Sequence, residues 1–159
     1  MYQSHLDLPA HVRKGAITLL QARLSDAIDL EAQTKQAHWN VKGHDFFQLH
    51  ELFDKIHGEV EEFVDTIAER ITALGGVADG RVQTTAKNST LYEYSLETHG
   101  GEAHLKAVAA VLAQFGKAAR ADIDHAAELG DADTADVFTE ISRETDKQLW
   151  FIEAHLLGD

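Results

Sequence analysis

Apolar residues recur at helical spacing along almost the whole chain. Between residues 10 and 38, Val12, Ala16, Ile17, Leu20, Leu24, Ala27 and Ile28 follow steps of three and four. Pro9, the one proline, stands just ahead of the first turn, where its missing N–H costs nothing. Asn40 to His44, with Gly43, read as a short connection. From about Asp45 to Leu74 a second stripe carries Leu49, Leu52, Phe53, Ile56, Val60, Phe63, Ile67, Ile71 and Leu74, and Gly75-Gly76 supplies the C-terminal stop. Two long helices joined by so few residues are antiparallel neighbours. Residues 75 to 101 form a long polar crossover, in which Thr90-Leu-Tyr-Glu93 has a capping-box pattern and predicts a short extra helix before His99-Gly100-Gly101. A third long helix runs from about Glu102 to Leu129, where Gly130 stops it. Asp131 or Asp133 caps a fourth, which carries Val137, Ile141, Leu149, Ile152 and Leu156.

Short loop, long crossover, short loop is the connectivity of an all-α, ferritin-like four-helix bundle, with the short extra helix in the crossover between the second and third long helices. A chain of 159 residues fits one domain, 1–159, with residues 1–9 as a short N-terminal tail. Composition narrows the function classes. With no cysteine, thiol chemistry and disulfides are excluded. No apolar run approaches the roughly 20 residues of a membrane span, and MYQSHLDLPAHVRK lacks the apolar centre of a secretion signal, so a cytoplasmic location is expected. Fourteen basic against twenty-seven acidic residues give a formal charge of −13, which repels nucleic acid and anionic lipid and concentrates cations. The ten histidines are therefore of interest as metal ligands.

The stretch HELFDKIHGEVEEFVDTIAER, residues 50 to 70, places His50, Asp54, His57, Glu61, Asp65 and Glu69 at steps of three or four. On a helical wheel these residues span about 120°, apart from the apolar stripe. Asp54 and Asp65 are eleven residues apart, about 16 Å along the axis, so one metal ion cannot bind both within one chain. Antiparallel pairing of two copies about a two-fold axis removes the difficulty. The pair Asp54 and Asp65 and the pair His50 and Glu69 are both centred between residues 59 and 60, so one axis brings both pairs together across the interface. Gly58, beside that centre, is a helix-interior glycine costing on the order of 1 kcal/mol, and it lets two backbones approach closely. His38, in KQAHWN, ends the preceding helix and returns to the His50 end of the hairpin. The expected set is His38, His50 and Asp54 from one subunit with Asp65 and Glu69 from the other. Two imidazoles and three carboxylates suit iron, manganese or zinc. The plainer alternative is a solvated charged face. A di-iron centre inside one bundle would want Glu-x-x-His on two helices, and no histidine here has a glutamate three residues before it. Asp54-x-x-His57 and Asp122-x-x-His125 are the nearest approximations.

KQAHWNVKG, LHELFD, DTIAERITALGG, DTADVFTE and DKQLWFIEAHL resemble the Dps family of mini-ferritins, the DNA-binding proteins from starved cells, over residues 10 to 156. In that family the positions matching His38, His50, Asp54, Asp65 and Glu69 form a ferroxidase centre between subunits. The resemblance implies a hollow homo-oligomeric shell of twelve subunits built from two-fold dimers. Such a shell oxidises Fe(II) with hydrogen peroxide, or more slowly with O2, and stores Fe(III) mineral. Trp39 and Trp150 are candidate radical traps, or bundle packing, and Asp131, Asp133 and Asp136 candidate lining of an acidic pore. Two departures stand out. No lysine-rich tail accompanies the charge of −13, so DNA binding is expected to be absent at neutral pH. His5, His44 and His57 are extra imidazoles, for which zinc binding and plain exposure are both readings, exposure being preferred. The rival functions are a DNA-binding nucleoid protein and a non-catalytic metal-binding shell.

Overall fold

The computed structural model describes residues 1–2 and 4–157. Among these residues the chain forms five helices and no strand: α1 Ala10–Asn40, α2 Phe46–Ala73, α3 Val82–Asn88, α4 Gly101–Leu129 and α5 Ala132–Leu156. The four long helices make the bundle. α1 pairs with α2, α4 with α5, and the short α3 lies against α1.

The helix ends follow local chemistry. Pro9 stands at the start of α1, and Val41, in extended backbone, ends it while its N–H still bonds the Ala37 carbonyl at 3.0 Å. At the end of α2, Gly75 takes a φ of 91°, and the N–H groups of Gly75 and Gly76 close on the Thr72 and Ile71 carbonyls, both at 2.9 Å. Gly130, with a φ of 86°, turns the chain from α4 into α5. Of the two candidate caps, Asp131 is the one used: its carboxylate accepts the Thr134 N–H at 3.1 Å.

Phe53, Phe115, Phe138, Leu20, Leu30, Ile56, Ile67 and Leu112 are fully buried where the long helices meet. Every residue of the α2 stripe faces this core, Leu52 only in part. α1 behaves differently, because Ser25, Asp26, Gln33 and Thr34 are buried as well. The crossover lies over that polar side.

The extra helix sits at Val82–Asn88, eight residues earlier than the capping-box pattern indicates. Ahead of it, the Asp79 carboxylate accepts from Arg81 at 2.6 Å and from the Thr84 hydroxyl at 2.9 Å, tying off its first turn. At Thr90–Glu93 the expected helix does not form, because distant side chains take the backbone groups it would need. Asp26 accepts the Thr90 N–H at 2.7 Å. Gln114 accepts the Tyr92 N–H at 3.0 Å and donates to the Thr90 carbonyl at 2.6 Å, and Gln33 donates to the Tyr92 carbonyl at 2.9 Å. None of the helices is long and apolar enough to cross a membrane.

Candidate metal centre

The α2 helix separates its two faces cleanly. Leu49, Phe53, Ile56, Val60, Phe63, Ile67 and Ile71 are buried, whereas Asp54, Glu61, Asp65 and Glu69 are exposed on the opposite side. His50 and His57 lie at the boundary, half-buried.

The five-residue turn after α1 returns the chain so that His38 meets His50. Their rings stack with centroids 3.7 Å apart and planes inclined by 23°. His38 Nδ1 lies 2.8 Å from the His50 carbonyl, and His50 Nδ1 lies 2.9 Å from the His38 carbonyl. A carbonyl only accepts, so each Nδ1 is the donor, and in the neutral ring that leaves the lone pair on Nε2, the nitrogen a metal ion would take. Asp54 stands one turn along, its Oδ1 3.7 Å from His38 Nδ1. That carboxylate is already engaged: the Lys35 ammonium donates to it in a very short ion pair. The hydrogen bond from Lys35 holds the Asp54 carboxyl below the usual carboxylate range, reinforced by the lysine's charge and opposed in part by burial.

The fold thus stacks His38 on His50, sets Asp54 at the edge of that pair, and leaves Asp65 and Glu69 farther along the same exposed edge. Among the described residues, no group of three or more histidines and carboxylates of one chain converges as a metal site. At Gly58, between the two halves, an added Cβ would meet no atom within 4 Å, so packing inside one chain does not require glycine there. Trp39, Phe46 and Phe47, beside the histidine pair, are exposed apolar side chains, Trp39 at 66%. The groove of about 680 Å³ between α1 and α3, lined by Ile28, Ala32, Val82 and Leu91, lies away from this chemistry.

Other candidates find different roles. His57 is half-buried with Nδ1 3.3 Å from the Glu31 carbonyl, so it is not the exposed residue expected, whereas His5 and His44 are exposed. Trp150 is exposed, against Phe151. Asp131 is buried, caps α5 and accepts from Arg70 at 2.7 Å, which makes it a structural carboxylate rather than pore lining; Asp133 and Asp136 are exposed. Asp122 is buried between His125 at 3.1 Å and Arg23 at 3.2 Å, an internal ion pair. Lys35 is the site residue that the sequence reading missed. It lies three residues before His38, but its partner is on the other helix, and only the α1–α2 register reveals the contact.

A family profile described as a ferritin-like domain matches residues 17–157. The DNA protection during starvation protein of Agrobacterium fabrum is 41% identical over 150 residues, 94% of this chain and 93% of the relative. Among solved structures, Mycobacterium smegmatis Dps in a tetragonal form superposes with a TM-score of 0.93 at 31% identity, covering 99% of this chain and 95% of that one. Dps from Microbacterium arborescens in its high iron form gives 0.85 at 34% identity, over 91% and 94% of the two chains.

Proposed function

The chain belongs to the ferritin-like family and, within it, to the Dps proteins, and from that premise we propose that it is a ferroxidase and iron store whose catalytic centres form between two copies. Each centre takes His38, His50 and Asp54 from one subunit and Asp65 and Glu69 from its mate. The observation that carries this reading is the reciprocal tie of His38 and His50. It fixes both tautomers with Nε2 free, and nothing in bundle packing calls for two metal-ready imidazoles beside a carboxylate. The complementary edge of Asp65 and Glu69, centred on the same point of α2, supplies the missing acids.

Chemistry follows from the donors. The neutral imidazoles hold Fe(II), while the hard anionic oxygens of Asp54, Asp65 and Glu69 favour the more highly charged Fe(III), so the ligand set drives oxidation. Two Fe(II) give one electron each to one hydrogen peroxide; with two protons the O–O bond is cleaved to two waters, and two Fe(III) pass to mineral. Both reagents of hydroxyl-radical formation are consumed. Protection of DNA, named in the Agrobacterium fabrum relative, is here chemical rather than by coating the polymer. A formal charge of −13 per subunit opposes binding to phosphates. The N-terminal segment supports this reading: Tyr2 donates to the Thr72 carbonyl through its hydroxyl and to the Gly75 carbonyl through its N–H, both at 2.9 Å, against the end of α2. The assembly is a hollow shell of twelve subunits built from two-fold dimers, working in the cytoplasm. Iron is the metal; no observation gathers His5, His44 and His57 into a zinc site.

The test is anaerobic Fe(II) loading followed by peroxide, on the native protein and on Asp54→Ala, with a DNA gel shift alongside. The native protein should consume two Fe(II) per peroxide. The variant should assemble but oxidise iron about 10- to 100-fold more slowly, the loss that follows when even a metal ligand's supporting partner is removed. Equal rates would refute the shared centre, and plasmid retention at moderate salt would refute the absence of DNA binding.

A further inference from the structure

We infer that Lys35 governs occupancy of the proposed centre: its ammonium is an internal cation that holds the Asp54 carboxylate in the metal-free protein and must leave before a metal ion takes that oxygen. The inference rests on the reading of Asp54 as a ligand given above. Lys35 lies one turn before His38 on α1, and Asp54 one turn after His50 on the antiparallel α2. The packing that stacks the two imidazoles therefore sets Lys35 level with Asp54, and the contact follows from the helix pairing. The lysine side chain is 28% exposed and the aspartate 48%, so the pair sits at the rim of the histidine pocket, where a flexible four-carbon stem swings out readily.

Two consequences of opposite sign follow. Lys35 competes with an incoming divalent ion for one carboxylate, and a unit charge about 4 Å away in water is worth a factor of roughly five in affinity. Asp54 is then the last ligand to be engaged, and loading is stepwise. In the metal-free dimer, however, the same ammonium offsets the repulsion among Asp54, Asp65 and Glu69 gathered at one interface. Removing it should tighten metal binding and loosen the empty assembly.

Anaerobic calorimetry with Fe(II) alone, on the full-length assembled protein, tests this with Lys35→Met, Lys35→Arg and Asp54→Asn. Lys35→Met should tighten the weaker Fe(II) step by about fivefold or more at low salt, and the gain should shrink as salt screens it. Lys35→Arg should bind no more tightly than the native protein. In the Asp54→Asn background, Lys35→Met should tighten Fe(II) binding far less, because the carboxylate for which lysine and metal compete is gone. Sedimentation of the metal-free protein should show Lys35→Met dissociating at lower salt or higher dilution than the native chain. Unchanged isotherms, or weaker Fe(II) binding by Lys35→Met, would overturn the inference while leaving the shared centre intact. If neither the native protein nor Lys35→Met takes up Fe(II), the proposed function falls with it.

Discussion

The polar side of α1 and the outer edge of α2 are both rich in acids, yet the fold treats them differently. On α1, Asp26 is wholly buried, 3.0 Å from Arg23, and accepts from Thr90; Asp29 accepts from Ser89 and from Gln33. These carboxylates are spent on pinning the crossover. On α2, Asp65 and Glu69 are exposed, and Asp54 is held only by a lysine at the rim. An acid whose lone pairs are filled by its own chain is structural, whereas a row of acids left unfilled on a rigid helix is available to something outside the chain.

That contrast can be broken most forcefully at Asp26. Asp26→Ala leaves Arg23 without one of its two buried partners and frees the Thr90 N–H, so a loss of about 3 kcal/mol is expected, measured by denaturant unfolding. Protein that still folds should retain its iron stoichiometry. An effect on iron binding larger than on stability would erase the distinction between the two faces. Acid provides a smaller probe of the covered region. His104 is buried with Nδ1 2.5 Å from the Tyr94 hydroxyl, and burial is the main force lowering its pKa, helped by the charge of His99 and opposed by the Asn40 backbone. The unfolded chain takes up this proton more readily than the folded one. The stability is therefore fully present above about pH 6.5 and declines as pH falls below it, by at most about 1.4 kcal/mol per pH unit for one proton. His104→Gln should flatten that part of the stability–pH curve relative to the native protein. Gly58→Ala gives the smallest expected change and the sharpest reading of the α2 edge. Within one chain the methyl meets nothing, so intrinsic propensity alone would stabilise the helix by up to about 1 kcal/mol. If two backbones approach there, the same methyl should instead weaken the dimer, and sedimentation distinguishes the two.

Much of this is legible in the sequence. The α2 stripe and its acidic edge follow from one helical period, because a helix with one buried face hides nothing from a wheel. The turn at Gly130 and the stop at Gly75 were equally local. The position of α3 was not: Thr90–Glu93 carries a sound capping pattern, but Asp26, Gln33 and Gln114 outbid it from helices far away in sequence. Asp131 could be named as a cap from its neighbours, while its burial under Arg70 depends on α2 meeting α5. Lys35 escaped notice for the same reason. His38 and His50 were placed together by loop length, but the exchange of main-chain bonds that orients them needed the register in hand.

That exchange frees each imidazole from the identity of the other. Each ring is braced by the main-chain carbonyl of the opposite residue, which a side-chain replacement leaves in place, so exchanging either histidine for a carboxylate costs its neighbour the stacked ring but keeps the bond that orients it. Retuning the centre toward another metal can thus begin at either imidazole, one at a time.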